Sequence, residues 1–439
     1  MLRMLDAIVV GAGLSGIAAA KELAKQGLSV RVLEARNRLG GRLNTDRTSG
    51  SAPYELGCSW LHESLDNPLW AIAEENGIDL VYDDSSAMVF NKDGPIDPAL
   101  GQLGSDFGAF AGVHFEDNKQ DVSLKEMIDE FVKFHPKMTA EQKKALPQTL
   151  RIPQISKGQD WNKVSAKSLL AAPKGRDLLV LGGYDKIYNV IKQGIEDKIS
   201  TGTPVESIDT SDPSKVTVKT ASEEITAKYV IVSAPVGVLK NNGIKFVPEP
   251  PSEFKAALDS TDVAEVGKVY FEFEKAFWPD MDKFVFVGDS DAVDGASTSY
   301  PLVISNWYKF NGSGKYPGLG VITPPPLTNK FESDPSKAFD HFTPVLEALR
   351  TDKSIPLPKP TKVTSSKWTV DPYSQGSYST YTVGNDREEA VKAFENGFGR
   401  VRFAGEHTTV RGATFAHGAY RSGIREASKI VDEVTKGRL

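Results

Sequence analysis

The sequence has little of what would mark a secreted, membrane-spanning or metal-dependent protein. Its 439 residues include one cysteine, Cys58, which excludes an internal disulfide and favours a reducing, intracellular compartment. No apolar run approaches the roughly eighteen residues of a membrane span. The six histidines show no metal-ligand spacing together with Cys58, so we expect no metal site.

A basic excess is also missing. The net charge of −6 argues against a nucleic-acid-binding protein and is compatible with a cationic substrate. The contents of 40% apolar and 25% charged residues are typical of a soluble globular protein, and the length predicts about two or three domains. A strand begins within about six residues of Met1, so we expect no signal peptide or transit segment.

The strongest motif lies in the first 42 residues. A strand over 6–10 is followed by Gly11-x-Gly13-x-x-Gly16, an alanine-rich helix, and a second strand that ends at Glu34. This order is what a dinucleotide site requires. Gly11 allows a tight turn, Gly13 lets the backbone approach a pyrophosphate at the helix N-terminus, and Gly16 lets helix and strand pack closely. Glu34 would accept a hydrogen bond from a ribose hydroxyl. The alternative is a glycine-rich turn that serves packing alone.

The next segment, residues 34–42 (EARNRLGGR), adds a second Gly-Gly turn and three arginines. It resembles the E-A-R-x-R-x-G-G-R segment of the flavin amine oxidase family, whose members bind FAD rather than NAD. The resemblance implies that FAD contacts Glu34, Ala35, Arg36, Gly40, Gly41 and Arg42.

A second family segment runs over residues 401–423 and reads as a strand, a loop and a glycine-bearing helix start. The resemblance implies that Gly405, Glu406 and Thr414 contact the flavin, with Glu406 suited to the ribityl hydroxyls. The helix after Gly412 would point its positive dipole end at flavin N1 and O2. Phe415 or His417 would form a wall beside flavin and substrate, and which of the two faces the substrate stays open.

The segment from Gly57 to His62 is similar to a family element that passes the flavin ring. The resemblance implies cofactor contacts from Gly57, Ser59 and Trp60. His62 matches a histidine of some fungal polyamine oxidases and could hydrogen-bond a substrate amine, favouring its neutral form. The alternative for His62 is a half-buried histidine bonded to a backbone carbonyl.

Three further positions are carried over from the family. Val205 matches a position whose backbone meets the adenine. Lys268, in a strand of alternating character over 267–273, matches a lysine that lies by flavin N5 and holds a water; burial would lower its pKa. An exposed strand lysine is the alternative. Tyr378, in a W-x-x-D-P-x-x-x-G-S-Y-S run, would face the flavin.

Several elements follow from local patterns. The spacings Ser123-x-x-Glu126 and Thr139-x-x-Gln142 predict capping boxes, and Asp386 predicts a helix start. The apolar run over 229–235 predicts a parallel strand buried on both faces. Asp83 and Asp84 could bind an ammonium group, although a solvated turn is the more ordinary interpretation.

These observations predict an α/β fold. We expect an FAD-binding, Rossmann-like domain of the glutathione reductase type, assembled from residues 1–80, 181–260 and 396–439. An α+β substrate domain of the amine oxidase type would be interleaved with it and comprise residues 81–180 and 261–395.

The resemblance implies oxidation of polyamines, either spermine or N-acetylated polyamines, with Lys268 and His62 as catalytic residues. In the family, a hydride passes from the carbon beside the nitrogen to flavin N5. Water then hydrolyses the imine to an aminoaldehyde and a shorter amine, and O2 is reduced to H2O2. We expect non-covalent FAD, because monoamine oxidases tether FAD through a C-terminal cysteine and this chain has Cys58 alone.

Three other functions stay open: a flavoprotein that binds an apolar ligand such as a steroid, an oxidase of another primary or secondary amine, and an NAD-dependent dehydrogenase. We expect no nucleic-acid or membrane partner, and the sequence carries no sign of oligomeric state. Gly437-Arg438-Leu439 is either a weak peroxisomal signal or a frayed helix end, so the compartment is cytoplasmic or peroxisomal.

Overall fold

The computed structural model describes residues 4–84, 87–96, 99–116, 120–135, 137–170, 174–292, 295–307 and 315–436. The C-terminal tripeptide Gly437-Arg438-Leu439 lies outside these residues.

The strands are β1 (Leu5–Val10), β2 (Val30–Leu33), β3 (Thr45–Asp46), β4 (Tyr54–Glu55), β5 (Trp60–Leu61), β6 (Leu80–Tyr82), β7 (Met88–Asn91), β8 (Gly94–Pro95), β9 (Leu178–Val180), β10 (Ile199–Ser200), β11 (Val205–Asp209), β12 (Val216–Thr220), β13 (Glu224–Val232), β14 (Lys245–Val247), β15 (Asp262–Ala264), β16 (Gly267–Glu272), β17 (Lys283–Phe286), β18 (Leu302–Asn306), β19 (Gly318–Thr323), β20 (Lys362–Ser365), β21 (Tyr378–Thr380) and β22 (Val401–Phe403).

The α-helices are α1 (Leu14–Lys25), α2 (Pro68–Glu75), α3 (Ala99–Glu116), α4 (Leu124–Phe134), α5 (Ala140–Leu150), α6 (Pro153–Lys157), α7 (Asp185–Lys192), α8 (Val236–Lys240), α9 (Ser252–Ser260), α10 (Leu327–Ser333), α11 (Ala338–Leu349), α12 (Arg387–Asn396) and α13 (Ala416–Lys436). Short 3-10 helices lie at Ser64–Asp66, Ala166–Leu170, Glu196–Lys198, Ser297–Ser299, Pro335–Lys337 and Glu406–Thr408.

The first sheet brings the two terminal motifs together. Its order is β10-β2-β1-β13-β12-β11-β14, with β22 beside β13, and β10, β2, β1, β13 and β22 are parallel. Helices α1 and α13 contribute to the core on one face, and α9 and α12 to the core on the other. The carboxyl ends of parallel strands meet at one edge of a sheet. That edge therefore carries Gly11, Glu34, Ser233 and Gly405, each just beyond the end of its strand.

The second sheet has the order β20-β16-β19-β18-β17-β7-β8. Its pairs are antiparallel except for β17 with β7. Helices α10 and α11 cover one face through Leu327, Phe331 and Phe342. The other face carries Lys268 toward the first sheet, where it lines the cavity described below.

The strand predicted over 229–235 is confirmed for 229–232, the end of β13, where Val230, Ile231 and Val232 are fully buried; residues 233–235 lie beyond the strand. The predicted strand around Lys268 is confirmed as β16, Gly267–Glu272. Its successive side chains point to opposite faces, and Val269, Tyr270 and Phe271 are all buried, because α10 and α11 pack on one face of this sheet while the segment at Tyr54 packs on the other.

Local helix signals are confirmed in detail. Both capping boxes form, with the Ser123 and Thr139 side chains accepting from the N–H groups of Glu126 and Gln142. The Asp386 carboxylate caps α12, and Gly397 ends it with a φ of 58°. The helix expected after Gly412 begins slightly later, at Ala416.

The three sequence pieces predicted for the cofactor domain all contribute strands to the first sheet, while the second sheet draws its strands from 81–180 and 261–395. A small sheet, β5-β9-β6, pairs residues from both predicted domains. The domain boundaries stay a prediction. No helix in the described ranges combines the length and the apolar character that crossing a bilayer would need.

Candidate active site

One cavity of about 720 Å³ extends from the carboxyl edge of the first sheet to the second sheet. It brings together nearly all the residues predicted from sequence. They are Gly11, Gly13, Glu34, Ala35, Arg36, Gly40, Gly41, Arg42, Gly57, Ser59, Trp60, His62, Val205, Lys268, Tyr378, Gly405, Glu406, Thr414 and Phe415. Two predicted residues, Gly16 and His417, are not in the lining.

The glycines at the β1–α1 turn have distinct geometries. Gly11 has a φ of +100°. This backbone conformation favours glycine, because a residue with a Cβ atom would be strained there. A Cβ atom on Gly16 would lie 2.0 Å from the Gly11 carbonyl oxygen, so this position requires glycine for packing. A Cβ atom on Gly13 would meet no atom within 4 Å. Gly13 thus leaves open space at the start of α1, where the first helical N–H groups can receive an anion.

Glu34 is held rigidly at the end of β2. Its two carboxylate oxygens accept hydrogen bonds from the N–H groups of Ala12 (2.7 Å) and Arg36 (2.9 Å). Arg36 in turn pairs with Asp371 at 2.7 Å, which ties this corner to the loop before β21. A carboxylate with a fixed orientation at this edge suits a ribose hydroxyl donor.

Arg42 and Glu406 join the two terminal motifs. Their side chains form an ion pair of 2.9 Å, and Glu406 also accepts from the Ser379 N–H (3.1 Å) and hydroxyl (2.6 Å). Burial by itself would raise the pKa of Glu406. The Arg42 charge, the nearby His407 and the Ser379 hydrogen bond together hold the pKa below its usual value, so the carboxylate stays ionised.

Lys268 is enclosed by acceptors. Its Nζ donates to the backbone oxygens of Glu55 (3.0 Å) and Gly57 (2.6 Å) and to the Ser59 hydroxyl (2.6 Å). Burial lowers the pKa of Lys268 to about 8, although the nearby Glu55 carboxyl acts in the opposite direction. A lysine with this pKa can exchange a proton near physiological pH.

Glu55 is a buried acid beside Lys268 that the sequence analysis did not single out. Burial raises its pKa to about 7, against the lowering effect of hydrogen bonds from the Tyr184 N–H (2.6 Å) and the Thr45 hydroxyl (2.7 Å). In the sequence, Glu55 stands out only as a charged residue between the apolar residues Tyr54 and Leu56. That pattern does not show that Lys268 lies beside it in the fold.

His62 sits in an aromatic stack beside the cavity. Its Nδ1 lies 2.8 Å from the Asp177 carboxylate, not against a backbone carbonyl, and its ring stacks on Phe415 with centroids 4.6 Å apart. His417 stacks on Phe415 at 5.6 Å and pairs with Glu63 at 3.2 Å. Of the pair left open by the sequence, Phe415 lines the cavity and His417, 1% exposed, lies outside the lining. The physical reason is the Glu63 contact, which keeps the His417 ring in the interior.

Tyr378 lines the cavity from β21. Its hydroxyl donates to the Ser156 carbonyl oxygen at 2.7 Å, which fastens the short helix α6 to the cavity. The sequence carries no motif that indicates α6, Asp177 or the cavity-lining residues Val303 and Ile322. Their involvement depends on tertiary placement, and none of them lies in a recognisable motif.

The described residues contain no group of three or more His, Cys, Asp or Glu side chains placed to hold a metal ion. They do fit FAD. FAD is a long dinucleotide with a ring system at one end. The site offers open space at Gly13 and an oriented carboxylate at Glu34, and the cavity continues from there to Lys268 and Glu406.

This fold and cavity define a dinucleotide-binding protein of the flavoprotein class. Residues 14–431 match the family model of flavin containing amine oxidoreductases, and the chain belongs to this family, whose cofactor is FAD. The assignment disfavours the NAD-dependent dehydrogenase alternative.

Similar proteins include the corticosteroid-binding protein of Candida albicans, at 30% identity over 97% of this chain and 96% of the relative. They also include the lysine-specific histone demethylase 1 homolog 2 of Arabidopsis thaliana (29% identity, 97% of this chain) and the human lysine-specific histone demethylase 2 (28%, 96%). The match spans 58% and 53% of these two longer demethylases.

Among solved structures, wild-type putrescine oxidase bound to putrescine superposes with a TM-score of 0.76 at 20% identity, over 98% of this chain and 99% of the other. At this identity the likeness shows the fold. The chain therefore has the amine oxidase fold predicted from its sequence.

Proposed function

We propose that the protein is an FAD-dependent polyamine oxidase that acts on spermine or N-acetylated polyamines. The products would be an aminoaldehyde, a shorter amine and H2O2. The observation that carries this proposal is the position of Lys268 and His62 on one cavity that continues into the dinucleotide site.

The cofactor, when bound, supplies a two-electron acceptor for the hydride on the carbon beside the nitrogen and passes the electrons to O2. Gly13, Glu34, Arg42, Glu406 and Lys268 would hold it. We propose that it is not attached covalently, because burial raises the pKa of the Cys58 thiol to about 11 and the thiol stays neutral.

His62 would orient the substrate amine. Because Asp177 engages Nδ1, the other ring nitrogen is the one available to hydrogen-bond a substrate amine. Trp60, Phe415 and Tyr378 give the surrounding walls an apolar surface that excludes water. Lys268 would exchange a proton at Nζ during turnover.

A second function, the binding of an apolar ligand such as a steroid, is favoured by the similarity to the corticosteroid-binding protein along nearly the whole chain. An oxidase of another primary or secondary amine is a third candidate. The compartment we propose from the sequence is the cytoplasm or the peroxisome.

Anaerobic titration of the flavin-loaded protein separates these functions. With spermine or N-acetylspermine we expect bleaching of the flavin absorbance, followed by H2O2 formation when air is admitted. Bleaching by other amines alone would favour the third candidate. A yellow protein that no amine bleaches would overturn the oxidase proposal and support the binding protein.

A further inference from the structure

The second sheet forms an apolar floor for the cavity next to Lys268. Lys268 of β16 is in register with Ile322 of β19, and Ile322 is in register with Val303 of β18. All three side chains line the cavity. Since neighbouring strands lie about 4.8 Å apart, this row spans about 10 Å from Lys268 to Val303. A substrate whose amine lies near Lys268 can therefore extend its carbon chain over two aliphatic side chains.

The same row continues with aliphatic residues beyond the lining. Val303 pairs with Val285 of β17, and Val285 pairs with Val89 of β7. Both are half-buried, whereas the alternate residue Phe284 is fully buried in the core beneath α10 and α11. The row therefore lies on the face turned away from these helices, the face that meets the cavity.

Another part of the lining is apolar too. Ile152, Pro153 and Ile155 line the cavity around α6. Among the described residues of the lining, the carboxylates are Glu34 and Glu406, and both are engaged by protein donors within the cofactor-binding motifs.

Two carboxylates on the His62 side, Asp177 and the adjacent Asp83, are also engaged by protein groups. Asp177 is bound to His62, and Asp83 pairs with Lys283 at 2.5 and 2.6 Å, with side chains 10% and 15% exposed. Asp83 is thus an ion-pair partner and not the solvated turn residue expected from sequence. A second ammonium group on a substrate would lose its hydration over this floor and find no uncommitted carboxylate on the described lining.

We propose that the site selects amines with a single positive charge, at the reacting nitrogen, followed by an uncharged and largely apolar tail. The inference rests on the proposed amine oxidation and narrows it. Of the polyamines named above, it favours N-acetylated forms over spermine because each acetyl group removes one positive charge, and it favours simple secondary alkylamines over both.

The test is a matched pair of substrates for the flavin-loaded enzyme. One is N-methylheptylamine; the other is the diamine in which an ammonium group replaces the far methyl group of the same chain. We expect kcat/KM for the alkylamine to exceed that for the diamine at least tenfold. Equal values, or a preference for the diamine, would overturn the inference. If neither these amines nor the polyamines reduce the flavin, the proposed oxidase function fails instead.

A second comparison tests the floor directly. Val303→Asp places a carboxylate on the floor two strands from Lys268, and Val303→Asn is the uncharged control of similar size and polarity. We expect Val303→Asp to shift the preference toward the diamine at least tenfold relative to Val303→Asn. Calorimetric binding of both amines to protein whose flavin has been reduced beforehand under anaerobic conditions gives the same comparison without turnover. If Val303→Asp and Val303→Asn changed kcat/KM for the two amines to the same extent, the absence of a carboxylate on the floor would not determine the substrate preference.

Discussion

Arg42 and Glu406 are 364 positions apart in the chain, and their side chains form an ion pair of 2.9 Å inside the cavity. The pair fixes the second Gly-Gly turn against the C-terminal motif. The Glu406 side chain is 5% exposed and that of Arg42 is 21% exposed, so solvent screens the interaction weakly. This contact joins the first and last motifs of the sequence into one binding surface.

Glu406→Gln tests the energetic role of this pair. We expect the free energy of unfolding of the cofactor-free protein to fall by about 1–3 kcal/mol at pH 7, because Arg42 loses its buried counter-charge. The pKa of Glu406 is held below the usual value of 4.5, so its stabilising contribution is present at neutral pH and is lost as pH falls through the lowered folded pKa. Denaturant titrations of both proteins should therefore converge toward low pH. A constant difference at all pH values would argue against the ion pair.

Gly13→Ala and Gly16→Ala form a matched pair at the β1–α1 turn. A methyl group on Gly13 meets open space, so we expect the free energy of unfolding of cofactor-free Gly13→Ala to lie within about 0.5 kcal/mol of the wild-type value. We expect the same variant to lose FAD binding, because the methyl group occupies the space that the pyrophosphate needs. A methyl group on Gly16 would clash with the Gly11 carbonyl, so we expect loss of folding stability itself. Chemical denaturation and flavin absorbance after purification distinguish the two. Normal FAD content in Gly13→Ala would place the pyrophosphate elsewhere.

Lys268→Met should separate activity from stability. We expect kcat/KM to fall by about 10²- to 10³-fold if Lys268 transfers a proton at Nζ. The pKa of Lys268 is about 8 in the folded protein against a usual 10.5, so between these values the unfolded chain binds more protons and wild-type stability rises with pH. This pH-dependent rise in the free energy of unfolding should amount to about 3 kcal/mol in the wild type and should be absent in Lys268→Met. A variant with the same pH dependence as wild type would show that Lys268 is not the buried titrating group.

Asp177→Asn tests the positioning of His62. Asparagine keeps an oxygen acceptor for Nδ1 and removes the charge, so we expect KM for an amine substrate to rise about tenfold with a smaller change in kcat. Asp177→Glu should restore part of the loss. In a double-mutant cycle with His62→Gln, the coupling free energy should be about 1 kcal/mol. Additive effects of the two substitutions would show that Asp177 acts independently of His62.

Much of the architecture was predictable because the signals are local. The glycine turn, the Ser123 and Thr139 capping boxes and the apolar strand over 229–235 each act within a few residues, so the sequence predicts them directly. The family resemblance extended this to the fold and to FAD, and both were confirmed by the family match. The roles of individual site residues and the substrate remain proposals.

The sequence by itself determined where the cofactor motifs lie, because turn geometry and helix capping are encoded by neighbouring residues. The tertiary structure alone decided that Phe415 and not His417 lines the cavity, that Asp177 reaches His62, and that Ile322 and Val303 extend the row that begins at Lys268. These relations depend on strand register and on packing between segments far apart in the chain, which no local pattern encodes.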